Sequence, residues 1–122
     1  MKRDLEVVLV DDEKPITELL GTFIPLVTQG VHICAFNDSV VAKEYIATHV
    51  VDVVIADYKM PRLNGLQLME AAPAHAKKVL MSGFASEIGN DKLQELHATF
   101  FEKPLFLPAL AEVLADQQNK IP

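Results

Sequence analysis

At 122 residues, half of them hydrophobic, the chain is long enough for one domain with its own core and too short for two. Its 17 acidic residues against 11 lysines and arginines give a net charge of −6, which argues against a surface built to bind nucleic acid directly. A single cysteine, Cys34, excludes an internal disulfide and fits a reducing compartment. No apolar run approaches the ~20 residues of a membrane span, and Lys2 and Arg3 lead into Asp4 and Glu6 rather than into a leader-like apolar stretch. A cytoplasmic protein with no membrane contact is expected.

Leu5–Val10 (LEVVLV) reads as the first strand. Apolar residues at 16, 19, 20, 23 and 24 then predict a helix from Pro15 to about Leu26, which Pro25 should shorten or bend. Gly30 marks a turn before a second strand over 31–36, and Ser39 is the predicted N-cap of a helix over 40–48. Val51–Ala56 is the third strand, and Gly65 opens a short helix to about Ala72, closed by Pro73. Lys78–Met81 is the fourth strand, followed by a helix within 87–97 that Gly89 interrupts early. Thr99–Glu102 is the fifth strand. Pro108 starts the last helix, with Leu107, Leu110, Ala111 and Leu114 on one face, and the tail QQNKIP carries no pattern. Strict alternation predicts a doubly wound α/β domain over 1–122, a parallel sheet with helices on both faces.

In such a sheet ligands bind beyond the carboxyl ends of the strands. Those ends carry Asp11-Asp12-Glu13, Asn37-Asp38, Asp57, Ser82-Gly83 and Lys103-Pro104. The junction at Asp57 is the oddest, because Val53, Val54, Ile55 and Ala56 are apolar enough for burial on both faces yet run straight into a carboxylate. Crowded carboxylates repel, and either trap a proton or recruit a cation. Oxygen ligands of this kind suit Mg²⁺. An ionised Asp57 could then act as a nucleophile towards phosphorus, with Lys103 and the Ser82 hydroxyl taking charge from the phosphoryl oxygens and Gly83 leaving room for the incoming group. Asp11 or Asp12 could also cap the first helix, and Glu13 is expected to face solvent. The four histidines, His32, His49, His75 and His97, lack metal-site spacing.

These segments together resemble the receiver domain of two-component response regulators: VLVDDE, DYKMPRLNG, MSG and FFEKP stand in the family's order, each at a strand end. The resemblance implies a flavodoxin-like fold with strand order 2-1-3-4-5, the order for which a receiver is a standard example. It implies Asp57 as phosphoacceptor, Asp12 as direct Mg²⁺ ligand, Asp11 as water-mediated ligand and the Lys59 backbone carbonyl as a further ligand. Lys103 would bind the phosphoryl group, Ser82 would be the switch hydroxyl and Phe100 the aromatic switch residue, with Phe101 in the core. Its implied partners are a sensor histidine kinase or phosphotransfer protein and a downstream protein or output domain, with a homodimer possible. The implied role is a signalling domain and not a turnover enzyme.

Several features depart from the family's pattern. The interval from Asp57 to Ser82 is short, so the third helix should be truncated. His97 stands where a glycine commonly precedes the fifth strand, and Phe100 replaces a tyrosine, so any switch there rests on packing alone. The Lys59 ammonium is expected to affect the lifetime of the phosphoryl group. Two other readings are a degenerate receiver that only binds protein, and a phosphohydrolase with an aspartyl nucleophile. Phe84 and Phe106 could serve either the core or a partner face.

Overall fold

The computed structural model describes residues 3–83, 89–103 and 107–121, the side chain of Asn90 excepted. Its elements alternate: β1 (Leu5–Val10), α1 (Lys14–Val27), β2 (Val31–Phe36), α2 (Ser39–Thr48), β3 (Val53–Asp57), α3 (Gly65–Glu70), β4 (Lys77–Ser82), α4 (Asn90–Glu95), β5 (Ala98–Glu102) and α5 (Leu107–Gln118). All strand pairings are parallel and the order is β2-β1-β3-β4-β5, which is the expected flavodoxin-like arrangement.

Strand side chains alternate between the two faces. Leu5, Val7, Leu9, Val53, Ile55, Val79 and Met81 bury one face against Leu20 and Ile24 of α1 and Leu110 and Leu114 of α5. Val8, Val10, Val54, Ala56 and Leu80 bury the other against Ala42 and Ile46 of α2 and Leu68 and Met69 of α3. Phe101 packs with the first set and Phe100 with the second.

Most boundaries fall where the pattern put them, with informative exceptions. α1 is not shortened by Pro25, which lies inside the helix two residues before its end. There the missing N–H forfeits a single backbone bond in the last turn. The N-cap of α2 is Asp38 rather than Ser39: the Asp38 carboxylate accepts from the Val40 N–H at 2.9 Å. β3 begins at Val53, not Val51. Phe84, Phe106 and the start of the helix predicted within 87–97 lie outside the described residues.

α3 is truncated as expected, to six residues. The carbonyls of Pro73 and Ala76 in the loop that follows both accept from the Lys78 ammonium, each at 3.2 Å. Lys78 is 6% exposed, and burial pushes its pKa below that of an ordinary lysine. At His97 φ is 54°, the left-handed conformation that explains why a glycine would commonly stand there.

The polar tail is ordered by contacts that no periodicity announces. Gln117 is buried and its side-chain amide donates to the carbonyls of Asp52 and His75, while Gln118 donates to the Gln29 carbonyl at 2.6 Å. Beside them the buried Asp52 accepts from Arg3 at 2.6 and 2.9 Å and from the Glu6 N–H at 2.8 Å.

Candidate functional site: an acidic pocket at the strand ends

The face that carries Leu5, Val7 and Leu9 continues, at the same two-residue period, to Asp11. By the same count β3 delivers Asp57, β4 delivers Gly83 and β5 delivers Lys103. In sheet order this makes a row Asp11, Asp57, Gly83, Lys103. Gly83 contributes no side chain to it, and a Cβ built there meets no heavy atom within 4 Å. Lys103 spans that gap. Its ammonium lies 3.2 Å from Asp11 Oδ2 and 3.2 Å from Asp57 Oδ1.

Asp11 is fully buried and Asp57 is 8% exposed, while Asp12 points to solvent. One carboxylate oxygen from each of these three residues lies within 4.8 Å of the others, and no other such group occurs among the described residues. Burial, reinforced by the Asp11 charge, raises the Asp57 pKa above that of an ordinary aspartate, with Lys103 opposing. Burial works against the Lys103 ammonium, but the Asp11 and Asp57 carboxylates outweigh it and hold its pKa above the ordinary lysine value. Three carboxylates against one ammonium leave an excess negative charge that a divalent cation would neutralise, and the all-oxygen donor set fits a hard cation.

Backbone contacts set these groups in place. Asp11 Oδ1 accepts from the Glu13 N–H at 2.9 Å. The cap of α1 is the exposed Glu13, so neither Asp11 nor Asp12 serves as its N-cap. Past Asp57, the Tyr58 N–H donates to the Met81 carbonyl at 2.8 Å and the Gly65 N–H to the Tyr58 carbonyl at 2.9 Å. Gly65 must be a glycine, because a Cβ would sit 2.6 Å from the Asp57 carbonyl oxygen and 2.5 Å from Leu80 Cδ1. Ser82 is buried at the end of β4, and its carbonyl accepts from the Lys103 N–H at 2.9 Å. Its side chain belongs to the alternate set with Leu80, the face on which Phe100 packs. Lys59 is exposed.

Asn37 makes a link to this pocket that sequence reasoning did not assign. Its amide donates to the Asp11 carbonyl at 2.8 Å and to the Thr17 hydroxyl at 2.9 Å, tying the end of β2 to the acidic pair. Its place at a strand end was the available signal.

The chain thus carries an acidic pocket and a lysine at the carboxyl ends of a parallel, doubly wound sheet. Residues 7–115 match the response regulator receiver domain model, and the chain belongs to that family. It is similar to the virulence sensor protein BvgS of Bordetella bronchiseptica, 30% identical over 95% of this chain and 10% of that protein. It is also similar to the response regulator GtcR of Aneurinibacillus migulanus, 33% identical over 89% of this chain and 46% of the relative. The chain thus spans a tenth to about half of these curated relatives' lengths. Among solved structures, a Francisella response regulator 1452 receiver domain superposes with a TM-score of 0.82 at 21% identity, covering 96% of this chain and 98% of that one. A receiver domain protein from Methanospirillum hungatei gives 0.83 at 19%, covering 96% and 95%. Receivers are modules of two-component signalling and not turnover enzymes, which sets the phosphohydrolase alternative aside. No helix among the described residues is long and apolar enough to cross a membrane.

Proposed function

We propose that residues 1–122 form one receiver domain that accepts a phosphoryl group on Asp57 from a phosphohistidine of a sensor histidine kinase or phosphotransfer protein. The observation that carries this reading is the Lys103 ammonium held 3.2 Å from the Asp57 carboxylate within the acidic cluster. An Asp57 oxygen bonds to phosphorus as the phosphorus–nitrogen bond breaks, and the electron pair leaves on the imidazole nitrogen. Lys103 and the Ser82 hydroxyl receive charge on the phosphoryl oxygens. Asp11, Asp12, Asp57 and the Lys59 carbonyl would hold Mg²⁺, which when bound offsets part of that same charge.

A kinase partner is supported by the relationship to a sensor protein and by the exposed apolar side of α1. Leu19, Phe23, Leu26 and Val27 lie there at 51%, 41%, 73% and 46% exposure, on the helix that follows Asp12. In the modified state Ser82 and Phe100 would shift the surface of α4, β5 and α5, read by a downstream protein, an output domain or a second copy of the chain. Such a role places the domain in the cytoplasm.

The test is the intact mass after incubation with acetyl phosphate and Mg²⁺. A gain of ~80 Da, one phosphoryl group, that is absent in Asp57→Asn and without metal supports the proposal. No gain in protein shown by titration to bind Mg²⁺ and given a phosphohistidine donor would reject it in favour of a receiver that only binds protein.

A further inference from the structure

Between Asp57 and α3 the chain makes a turn that its own residues do not favour. The Leu63 N–H donates to the Pro61 carbonyl at 2.9 Å, closing a three-residue γ-turn around Arg62, whose φ is 73°. This positive-φ form is the rare and strained one, and arginine carries a Cβ that opposes it. Such a conformation persists only where its surroundings over-determine it.

The surroundings here are the first residues of α2. The Ser39 hydroxyl donates to the Pro61 carbonyl at 3.0 Å and accepts from the Leu63 N–H at 3.1 Å, so one buried oxygen touches both ends of the turn. Asp38 grips the middle: one carboxylate oxygen pairs with Arg62 at 2.8 Å while the other caps α2. At its other end the loop is pinned by Tyr58, through the Met81 carbonyl and the Gly65 N–H. Only Lys59 and Met60 lie between the two anchors.

We infer that Ser39 is a positioning residue for the phosphoryl site, its hydroxyl holding the Arg62 turn and thereby the stretch that presents the Lys59 carbonyl beside Asp57. This rests on the proposed metal role of that carbonyl. Ser39 touches neither metal nor phosphoryl group; it acts through the loop. The hydroxyl matters because it donates and accepts at once, which alanine cannot replace.

The test is calorimetric Mg²⁺ titration of the unphosphorylated full chain, with circular dichroism showing each variant folded. Ser39→Ala is expected to weaken Mg²⁺ binding about 10-fold, while Arg62→Gly, which accepts positive φ and leaves the Ser39 hydroxyl in place, stays within about twofold. Equal affinity in Ser39→Ala and wild type would overturn the inference, as would an equal loss in both variants, since the hydroxyl would then have no specific part. A wild type that binds no Mg²⁺ would instead overturn the metal reading, and the role of Ser39 with it.

Discussion

The Lys103 ammonium lies 3.2 Å from Asp57 Oδ1 although β5 and β3 are not neighbours in the sheet. β4 runs between them, and the position it contributes to that row is Gly83. The same ammonium reaches the fully buried Asp11, so one cation serves two carboxylates at the ends of adjacent strands. Lys103→Met leaves both without it and is expected to cost about 2 kcal/mol in EDTA, below the value for a fully buried pair because Lys103 keeps partial solvent contact. Mg²⁺ should narrow the difference, since a cation bound to the folded state stabilises it by mass action. Thermal unfolding with and without Mg²⁺ measures both.

Asp57 itself works against folding when ionised. Its folded pKa is raised above the ordinary 3.8, by burial first and then by Asp11. A carboxyl group of that kind binds its proton more tightly in the folded state, so its penalty grows as pH rises through the folded pKa and is complete above it. Asp57→Asn in EDTA is therefore expected to be more stable than wild type at pH 7. The advantage should fade as pH falls below about 3.8, where both states are protonated. Urea unfolding across pH 3–8 gives the sign; a less stable variant at pH 7 would contradict it.

Asp52 has the opposite sign. The Arg3 hydrogen bond holds its pKa below 3.8 despite burial, so the stability it contributes is present above that value and is lost as pH falls through the folded pKa. Arg3→Ala leaves the carboxylate only the Glu6 N–H among these contacts. A loss of about 1–2 kcal/mol at pH 7 is expected, discounted because the Arg3 side chain is half exposed. The loss should shrink at pH 3, which a pair of urea curves would show.

Gly65→Ala places a Cβ against the Asp57 carbonyl and Leu80. The expected cost is about 2 kcal/mol or more, the scale of overpacking, together with slower labelling by acetyl phosphate because the end of β3 must move. Normal stability and labelling would show that the loop relaxes instead.

Lys59→Ala tests whether the exposed ammonium two residues beyond Asp57 affects phosphoryl lifetime. A several-fold change in the rate of phosphoryl loss is expected from removing a positive charge two residues along the chain from Asp57; equal rates would remove Lys59 from the account.

The strand ends were legible because hydrophobic runs stop abruptly at polar residues, and a two-residue period then places Asp11, Asp57 and Lys103 on one face. Local signals were less decisive where two residues could do one job. Asp38 and Ser39 are both good N-caps; the structure gives the cap to Asp38 and turns Ser39 towards the next loop. Pro25 reads as a breaker, yet a proline two residues from the helix end forfeits too little to stop the helix. Contacts between distant segments left no periodic trace. The Asp52–Arg3 pair, the Gln117 and Gln118 amides and the Asn37 link to Asp11 join residues that are remote in the chain.

Lys78 has a bearing on how β4 can respond to events at its other end. It shares an alternation with Leu80 and Ser82, and its ammonium is anchored on Pro73 and Ala76. Sliding β4 by one residue would turn that charge into the face lined by Val79 and Met81. Sliding it by two would carry the ammonium about 6–7 Å from its carbonyls. β4 is thus keyed in place like a bolt with a stop at its tail, and its register resists any slide along the sheet.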